Sequence, residues 1–167
     1  MNGKLNIIFG FIYFALTAVL GPALLVPKLG DTFKTWGETA QAIDQVRDAA
    51  TASPQELAPA VTRTFDAVQG SNRLGLLAGG PHAHGNLEAM LNIVAGLVLL
   101  VLCIPANFKA LLSLMFLLGA LLHSGMLYLG MVLGVQAAMG LTTVGAILIV
   151  AALALTGIAA AVGIRKQ

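Results

Sequence analysis

ALLSLMFLLGALLHSGMLYLGMVLG, residues 110–134, carries no charged side chain and exceeds the roughly 20 apolar residues that cross a bilayer as a helix. Three further segments of similar length carry at most one charge each, namely 5–27, 86–104 and 137–164. A lipid-exposed strand would leave its backbone groups unpaired, and four such segments cannot close a barrel. The sequence therefore predicts an all-α integral membrane four-helix bundle, with helices over about 5–27, 86–104, 109–134 and 137–164.

Composition supports the same conclusion. Of the 167 residues, 58% are hydrophobic and only 10% are charged, and the mean hydropathy is +0.91. A soluble domain carries about a quarter charged residues, so a soluble fold is excluded. The net charge of +2 offers no basic stripe to track phosphates, which excludes nucleic acid as a partner. The single cysteine, Cys103, excludes a disulfide within the chain.

The polar segment 28–85 is predicted to form an extramembrane helical hairpin that lies on the bilayer or on the membrane helices, or covers a site as a lid. Apolar residues recur at helical steps in two runs: Phe33, Trp36, Ala40, Ile43, Val46 and Ala50, then Leu57, Val61, Phe65 and Val68. Capping sequences at Thr35–Glu38 and Ser53–Glu56 mark the expected starts. Gly21-Pro22 predicts a kink or an end of the first helix, and the glycine-rich Gly75–Gly85 leads back into the membrane.

The charges also predict an orientation. Lys4, Lys109 and Arg165-Lys166 all fall on one side of an even-numbered bundle. Short basic segments favour the cytoplasmic side, so both termini are expected there and 28–85 outside, in a bacterial inner membrane. We expect the first segment to stay in the chain, because no small-x-small cleavage site follows it.

Polar side chains inside apolar helices are costly and mark candidate functional sites. His84, Glu88 and Asn92 are spaced four apart and share one face of the second helix. Counting 1.5 Å per residue brings Asn92 level with His123 of the third helix and Glu88 level with Tyr128, near the outer surface. A buried neutral imidazole must satisfy a donor and an acceptor, so His123 either bonds a neighbouring helix or holds a metal.

The histidine spacing limits the metal chemistry. On a helix, His82 and His84 point about 160° apart, so they share one ion only if 81–85 is non-helical. Either residue could also be merely interfacial. A single imidazole beside a flat apolar pocket suits a haem iron better, which makes His84 the expected metal ligand and His123 and His82 its alternatives.

The run His82-Ala83-His84-Gly85-Asn86-Leu87 resembles the histidine-rich helix of small four-helix relatives of the haem-copper oxidase catalytic subunit, and also the haem-dependent styrene oxide isomerases. These resemblances imply haem b with His84 as axial ligand, and a small hydrophobic epoxide or a gas as substrate. Tyr128 then lies in the substrate pocket, with Asn92 or Glu88 orienting the substrate. The implied cofactor site comprises His84, His123 and Asn86.

A second resemblance gives a different function. Ala83-His84-Gly85-Asn86-Leu87-Glu88 and Leu118–Gly125 are similar to the membrane-associated eicosanoid and glutathione metabolism proteins, which implies a glutathione-dependent transferase or isomerase. This sequence departs from that family in two ways: the arginines that precede this element and bind glutathione are missing, with only Arg73 upstream, and the glutamate comes one residue early. Both families form trimers, so a homo-oligomer is implied. A third possibility is a non-catalytic accessory subunit of a membrane complex, whose histidines only bond neighbouring helices or headgroups.

Overall fold

The computed structural model describes residues 3–52 and 54–163, and no strand lies in these two ranges. The α-helices are α1 (Lys4–Ala52), α2 (Pro54–Leu77), α3 (Ala83–Val101), α4 (Ala106–Ala120) and α5 (Gln136–Gly163). Wider π-helical turns lie before α3, at Ala78–His82, and after α4, at Leu121–Gly125 and Tyr128–Val132. The predicted all-α class is confirmed.

Four helical stretches are long and apolar enough to cross a membrane: Lys4–Leu24, Gly79–Val101, Ala106–Val132 and Gln136–Gly163. They correspond to the four predicted spans, and the chain is a helical membrane protein. The second span begins at Gly79 instead of near residue 86, because the expected glycine-rich loop is helical. Pro81 has no backbone N–H to donate. It lies inside the π-turn Ala78–His82, whose wider hydrogen-bonding pattern accommodates it.

The first helix is longer than the sequence predicts. It runs through Pro22 and Pro27 without a break, so Thr35–Glu38 lies inside α1 and does not start a new helix. Each proline removes only one backbone donor from the helix. Beyond residue 30, apolar residues recur at helical spacing, as expected if the same helix continues. The predicted N-cap Ser53 lies outside the described residues, and α2 begins at Pro54.

Residues Gly21–Ala78 form one compact unit and the remaining chain forms another. In the unit Gly21–Ala78, residues of both predicted apolar runs line one surface pocket of ≈ 320 Å³. The lining residues are Ile43, Val46, Val61, Thr64, Phe65 and Val68.

In the other unit, Met1–Leu20 with Gly79–Gln167, small residues let the helices approach closely. A Cβ atom added at Gly10 would lie 2.5 Å from Cγ1 of Ile93, and one added at Gly119 would lie 2.6 Å from Cγ1 of Ile149. Such crossings of small residues are typical of membrane helices, where close packing replaces the hydrophobic effect. The first crossing joins α1 to α3, and the second joins α4 to α5.

The apolar core of this unit follows the contact between α3 and α4. Buried side chains form three clusters: Tyr13 with Ala89 and Ala120; Ala95 with Phe116 and Ala152; and Leu99 with Leu102, Leu112 and Ala159. Helix α1 contributes to the first cluster, and α5 contributes to the other two. This packing fixes the register of α3 against α4 and places the α3 residue Glu88 opposite the turn that follows α4.

Candidate functional site

The centre of the candidate site is the contact between Glu88 and His123. Glu88 is 3% exposed, and the side chain of His123 is 17% exposed. Nδ1 of His123 bonds Oε1 of Glu88. A carboxylate oxygen accepts, so Nδ1 carries the proton and Nε2 of a neutral ring keeps its lone pair. Among the described residues, His123 is the only basic partner of this carboxylate.

The π-turn Leu121–Gly125 brings two successive residues to the same carboxylate. Ser124 follows His123 in the chain, and its backbone N–H and its hydroxyl donate to Oε2 of Glu88 over 3.3 Å and 2.6 Å. A π-turn inserts one residue into the helical ladder and frees backbone groups, and such turns are frequent at functional sites. Both oxygens of Glu88 are therefore bonded, one to each residue.

Tyr13 of α1 extends this network. Its hydroxyl lies 2.8 Å from Oγ of Ser124, and its ring stacks on Phe9 with centroids 5.1 Å apart. Tyr13 is buried. Sequence reasoning missed it, because only the second and third spans were searched for polar side chains.

His84 completes a cluster of three potential ligands with Glu88 and His123. Its ring meets that of His123 edge to face, with centroids 4.7 Å apart and planes at 73°. Each of the three residues offers one ligand atom, and these atoms all lie within 4.8 Å of one another. Within residues 3–52 and 54–163, neither nitrogen of His84 has a hydrogen-bond partner. Two imidazoles and one carboxylate are ligands that Zn²⁺ and Fe²⁺ take in proteins.

Asn92, predicted as a catalytic residue, lies in a second polar network. Its amide nitrogen donates to the carbonyl oxygens of Glu88 and Phe116 at 3.0 Å and 3.2 Å, and its oxygen accepts from Nδ2 of Asn6 at 3.0 Å. Asn6 also donates to the carbonyl of Ser113 and accepts from the Ser113 hydroxyl. All three side chains are buried, so this network ties α1, α3 and α4 together.

His82 and Asn86 form a third network, which is completed by Thr17. Nδ1 of His82 donates to the carbonyl of Thr17 at 3.1 Å, and its Nε2 accepts from Nδ2 of Asn86 at 3.3 Å. The Thr17 hydroxyl donates to Oδ1 of Asn86 at 2.7 Å. Both nitrogens of His82 are occupied, and residues 81–85 are helical. His82 is therefore not brought to the cluster of His84, Glu88 and His123.

Tyr128 lies next to the turn of α3 that carries His84. A Cβ atom added at Gly85 would lie 3.3 Å from Cε2 of the Tyr128 ring. The Tyr128 hydroxyl is buried and has no hydrogen-bond partner in the described part of the chain. This oxygen therefore has an unused donor and an unused acceptor.

The first span carries a signal that would have revealed the missed residues. Asn6, Tyr13 and Thr17 are spaced seven and four apart, so they share one helix face in an otherwise apolar segment. Each of them bonds a different polar residue of α3 or of the turn after α4. Comparison of the chain with protein-family models, with curated proteins and with solved structures gave no significant match.

Proposed function

We propose that this chain is an integral membrane metalloprotein that binds one divalent first-row transition-metal ion between His84, Glu88 and His123. The observation that carries the proposal is the convergence of three ligand atoms, from two helices, within 4.8 Å of one another in a largely apolar bundle. An ionisable side chain inside a membrane span is costly, and Glu88 is the only acidic residue after Asp66 in the sequence.

The ligand set determines the chemistry. Metal–ligand bonds of about 2.0–2.2 Å place neighbouring ligand atoms about 3.0–3.5 Å apart, so small side-chain rotations suffice to close the site. An ion bound there would take the place of the hydrogen between Nδ1 of His123 and Oε1 of Glu88, and the ring of His123 would then carry its hydrogen on Nε2. Three protein ligands leave positions open, where such an ion acts as a Lewis acid or binds a gas. The Tyr128 hydroxyl, which has no partner among the described residues, would orient a small apolar substrate.

Haem b is the second candidate. If His123 bound its iron, it would do so through Nε2, because Nδ1 bonds Glu88. A metal-ligating histidine commonly donates its other N–H to a carboxylate, as Nδ1 of His123 does to Glu88. Nε2 of His123, or His84 as the resemblance implies, would then be the axial ligand. The separation of 4.7 Å between the two rings leaves no room for a porphyrin between them. Only one of the histidines could therefore bind the iron. We favour the single ion because it would use both imidazoles and the carboxylate of the cluster.

The location belongs to the same proposal. Lys4 and Lys109 lie at the starts of the first and third spans, on one side of the bundle. We therefore propose that both termini face the cytoplasm of a bacterial inner membrane and that the segment between the first two spans lies outside. Arg165-Lys166, the third basic group, lies outside the described residues. A homotrimer, or a place in a larger membrane complex, is proposed on the resemblances alone.

Metal analysis and an absorption spectrum of the protein purified in detergent test this function. We expect one Zn²⁺ or Fe²⁺ per chain, and loss of that metal in His84→Ala, Glu88→Gln and His123→Ala. His82→Ala is the matched control and should keep the metal, because both nitrogens of His82 bond the protein.

Other outcomes identify the alternatives. A Soret band that survives Glu88→Gln but is lost in His84→Ala or His123→Ala would replace the single ion with haem. Protein that binds neither metal nor haem would contradict the proposal and favour an accessory subunit. Stabilisation of that metal-free protein by glutathione would favour the glutathione-dependent family.

A further inference from the structure

We propose that Tyr13 is a positioning residue for this metal site, and that its hydroxyl directs the hydrogen of Ser124 onto Glu88. The inference rests on the proposed metal site and adds a residue of α1 to it. Tyr13 is not one of the three proposed ligands, which are His84, Glu88 and His123. It acts through Ser124, whose hydroxyl it contacts.

The direction of the hydrogen bonds follows from counting hydrogens. The Ser124 hydroxyl has one hydrogen and three oxygen neighbours: Oε2 of Glu88 at 2.6 Å, the Tyr13 hydroxyl at 2.8 Å and the carbonyl of Ala120 at 3.2 Å. Carboxylates and carbonyls only accept. If Ser124 donates to Glu88, the contact with Tyr13 needs its own hydrogen, which the phenol must supply. The chain therefore runs from Tyr13 to Ser124 to Glu88.

Removing the phenol oxygen weakens this arrangement. In a chain of hydrogen bonds each bond polarises the next, so the Ser124 hydroxyl donates more strongly while it accepts from Tyr13. Without that donor, the Ser124 hydrogen can turn to the carbonyl of Ala120, four residues earlier on its own helix, as serine hydroxyls commonly do. Oε2 of Glu88 then keeps only the longer bond from the Ser124 backbone N–H.

The effect on a bound metal is a change in how Glu88 binds it. With Oε2 held by Ser124, only Oε1 is free to bind, so the carboxylate is a monodentate ligand. Held only by the longer bond from the Ser124 backbone N–H, Oε2 could swing onto the same ion and raise the coordination number by one. Tyr13 thus fixes both the affinity and the coordination geometry of the site.

Cobalt substitution measures both quantities. Co²⁺ is bound to the purified full-length protein in detergent, and its visible absorption bands are recorded, because these bands weaken stepwise as the number of ligands rises from four to five to six. For Tyr13→Phe we expect weaker bands and an affinity about three- to tenfold lower, and for Ser124→Ala a loss of about 10–100-fold. Tyr13→Phe keeps the ring that stacks on Phe9.

Two further variants separate positioning from general damage. Thr17→Val removes another buried hydroxyl of α1, which bonds Asn86 instead of Ser124, so the cobalt spectrum should stay unchanged and the affinity should stay within about twofold. Ser124→Thr keeps the hydroxyl and should retain the wild-type spectrum. A merely structural role of Tyr13 would lower stability without changing the bands.

The possible failures are distinguishable. If the wild-type protein binds no Co²⁺ and no other metal, the proposed function fails and the role of Tyr13 fails with it. If the wild type binds Co²⁺ and Tyr13→Phe has the same spectrum and affinity, only the role of Tyr13 is overturned. Should Tyr13→Phe not fold, Ser124→Ala decides, because an unchanged spectrum there excludes any action of Tyr13 through Ser124.

Discussion

Replacing Asn92 with alanine separates the two roles that this residue could have. Its amide makes two bonds to other helices, one with Asn6 of α1 and one with the carbonyl of Phe116 in α4, and both partners are buried. Together with the bond to the Glu88 carbonyl, these bonds use both amide hydrogens and the amide oxygen of Asn92 within the protein. We therefore expect Asn92 to stabilise the bundle and not to act on a bound molecule.

The magnitude follows from the number of bonds. Hydrogen bonds between membrane helices contribute about 0.6 kcal/mol on average and about 1.7 kcal/mol at most. Two such bonds give about 1–3 kcal/mol, and Asn6 keeps its bonds to Ser113 in the variant. We therefore expect Asn92→Ala to lower the free energy of unfolding by about 1–3 kcal/mol while one metal ion per chain is still bound.

The assay is equilibrium unfolding in mixed micelles, with metal content measured on the folded fraction. Asn107→Ala is the matched control, since Asn107 lies exposed in the first turn of α4 and should change stability by no more than about 0.5 kcal/mol. Unchanged stability of Asn92→Ala together with loss of the metal would refute this reasoning and place Asn92 in the site.

Three further predictions concern packing and the metal. Gly10→Val should destabilise the bundle by about 1–3 kcal/mol, because its Cβ would lie 2.5 Å from Cγ1 of Ile93. Gly157→Ala is the control and should fold normally, because a Cβ there would have nothing within 4 Å. Equal stability of the two variants in unfolding curves would contradict the close crossing. Phe116→Ala, at a position 1% exposed, should lower the unfolding free energy by about 3–5 kcal/mol, and a loss below about 1 kcal/mol would contradict the core described above. Chelator treatment should lower the melting temperature of the wild type but not of Glu88→Gln, because a ligand stabilises only a protein that binds it; an equal drop in both would show that the stabilising metal lies elsewhere.

The membrane helices could be predicted from the sequence because hydropathy reports them directly. Lys109 and the uncharged stretch after it define the third span, and α5 follows in the same way. The start of the second span was harder to predict from the sequence, because Gly79, Gly80 and Pro81 are typical of loops when read locally. Packing overrides this preference, because Gly85 must lie close to Thr17 and Tyr128.

The site was predictable only in part. Spacing alone placed His84 and Glu88 on one face, and depth counting brought His123 near them. The counting paired Glu88 with Tyr128, however, whereas the structure bonds it to His123, because the π-turn after α4 changes which residues face α3. A π-turn has no reliable sequence signature, so the bond from Ser124 to Glu88 could not be derived from spacing.

X-ray absorption at the metal edge of the purified, metal-loaded protein tests the ligand set most directly. The proposed site predicts a first shell of nitrogen and oxygen atoms at about 2.0–2.2 Å, with scattering from two imidazole rings. Four pyrrole nitrogens around iron, or a shell without imidazole, would contradict a metal ion held by His84, Glu88 and His123.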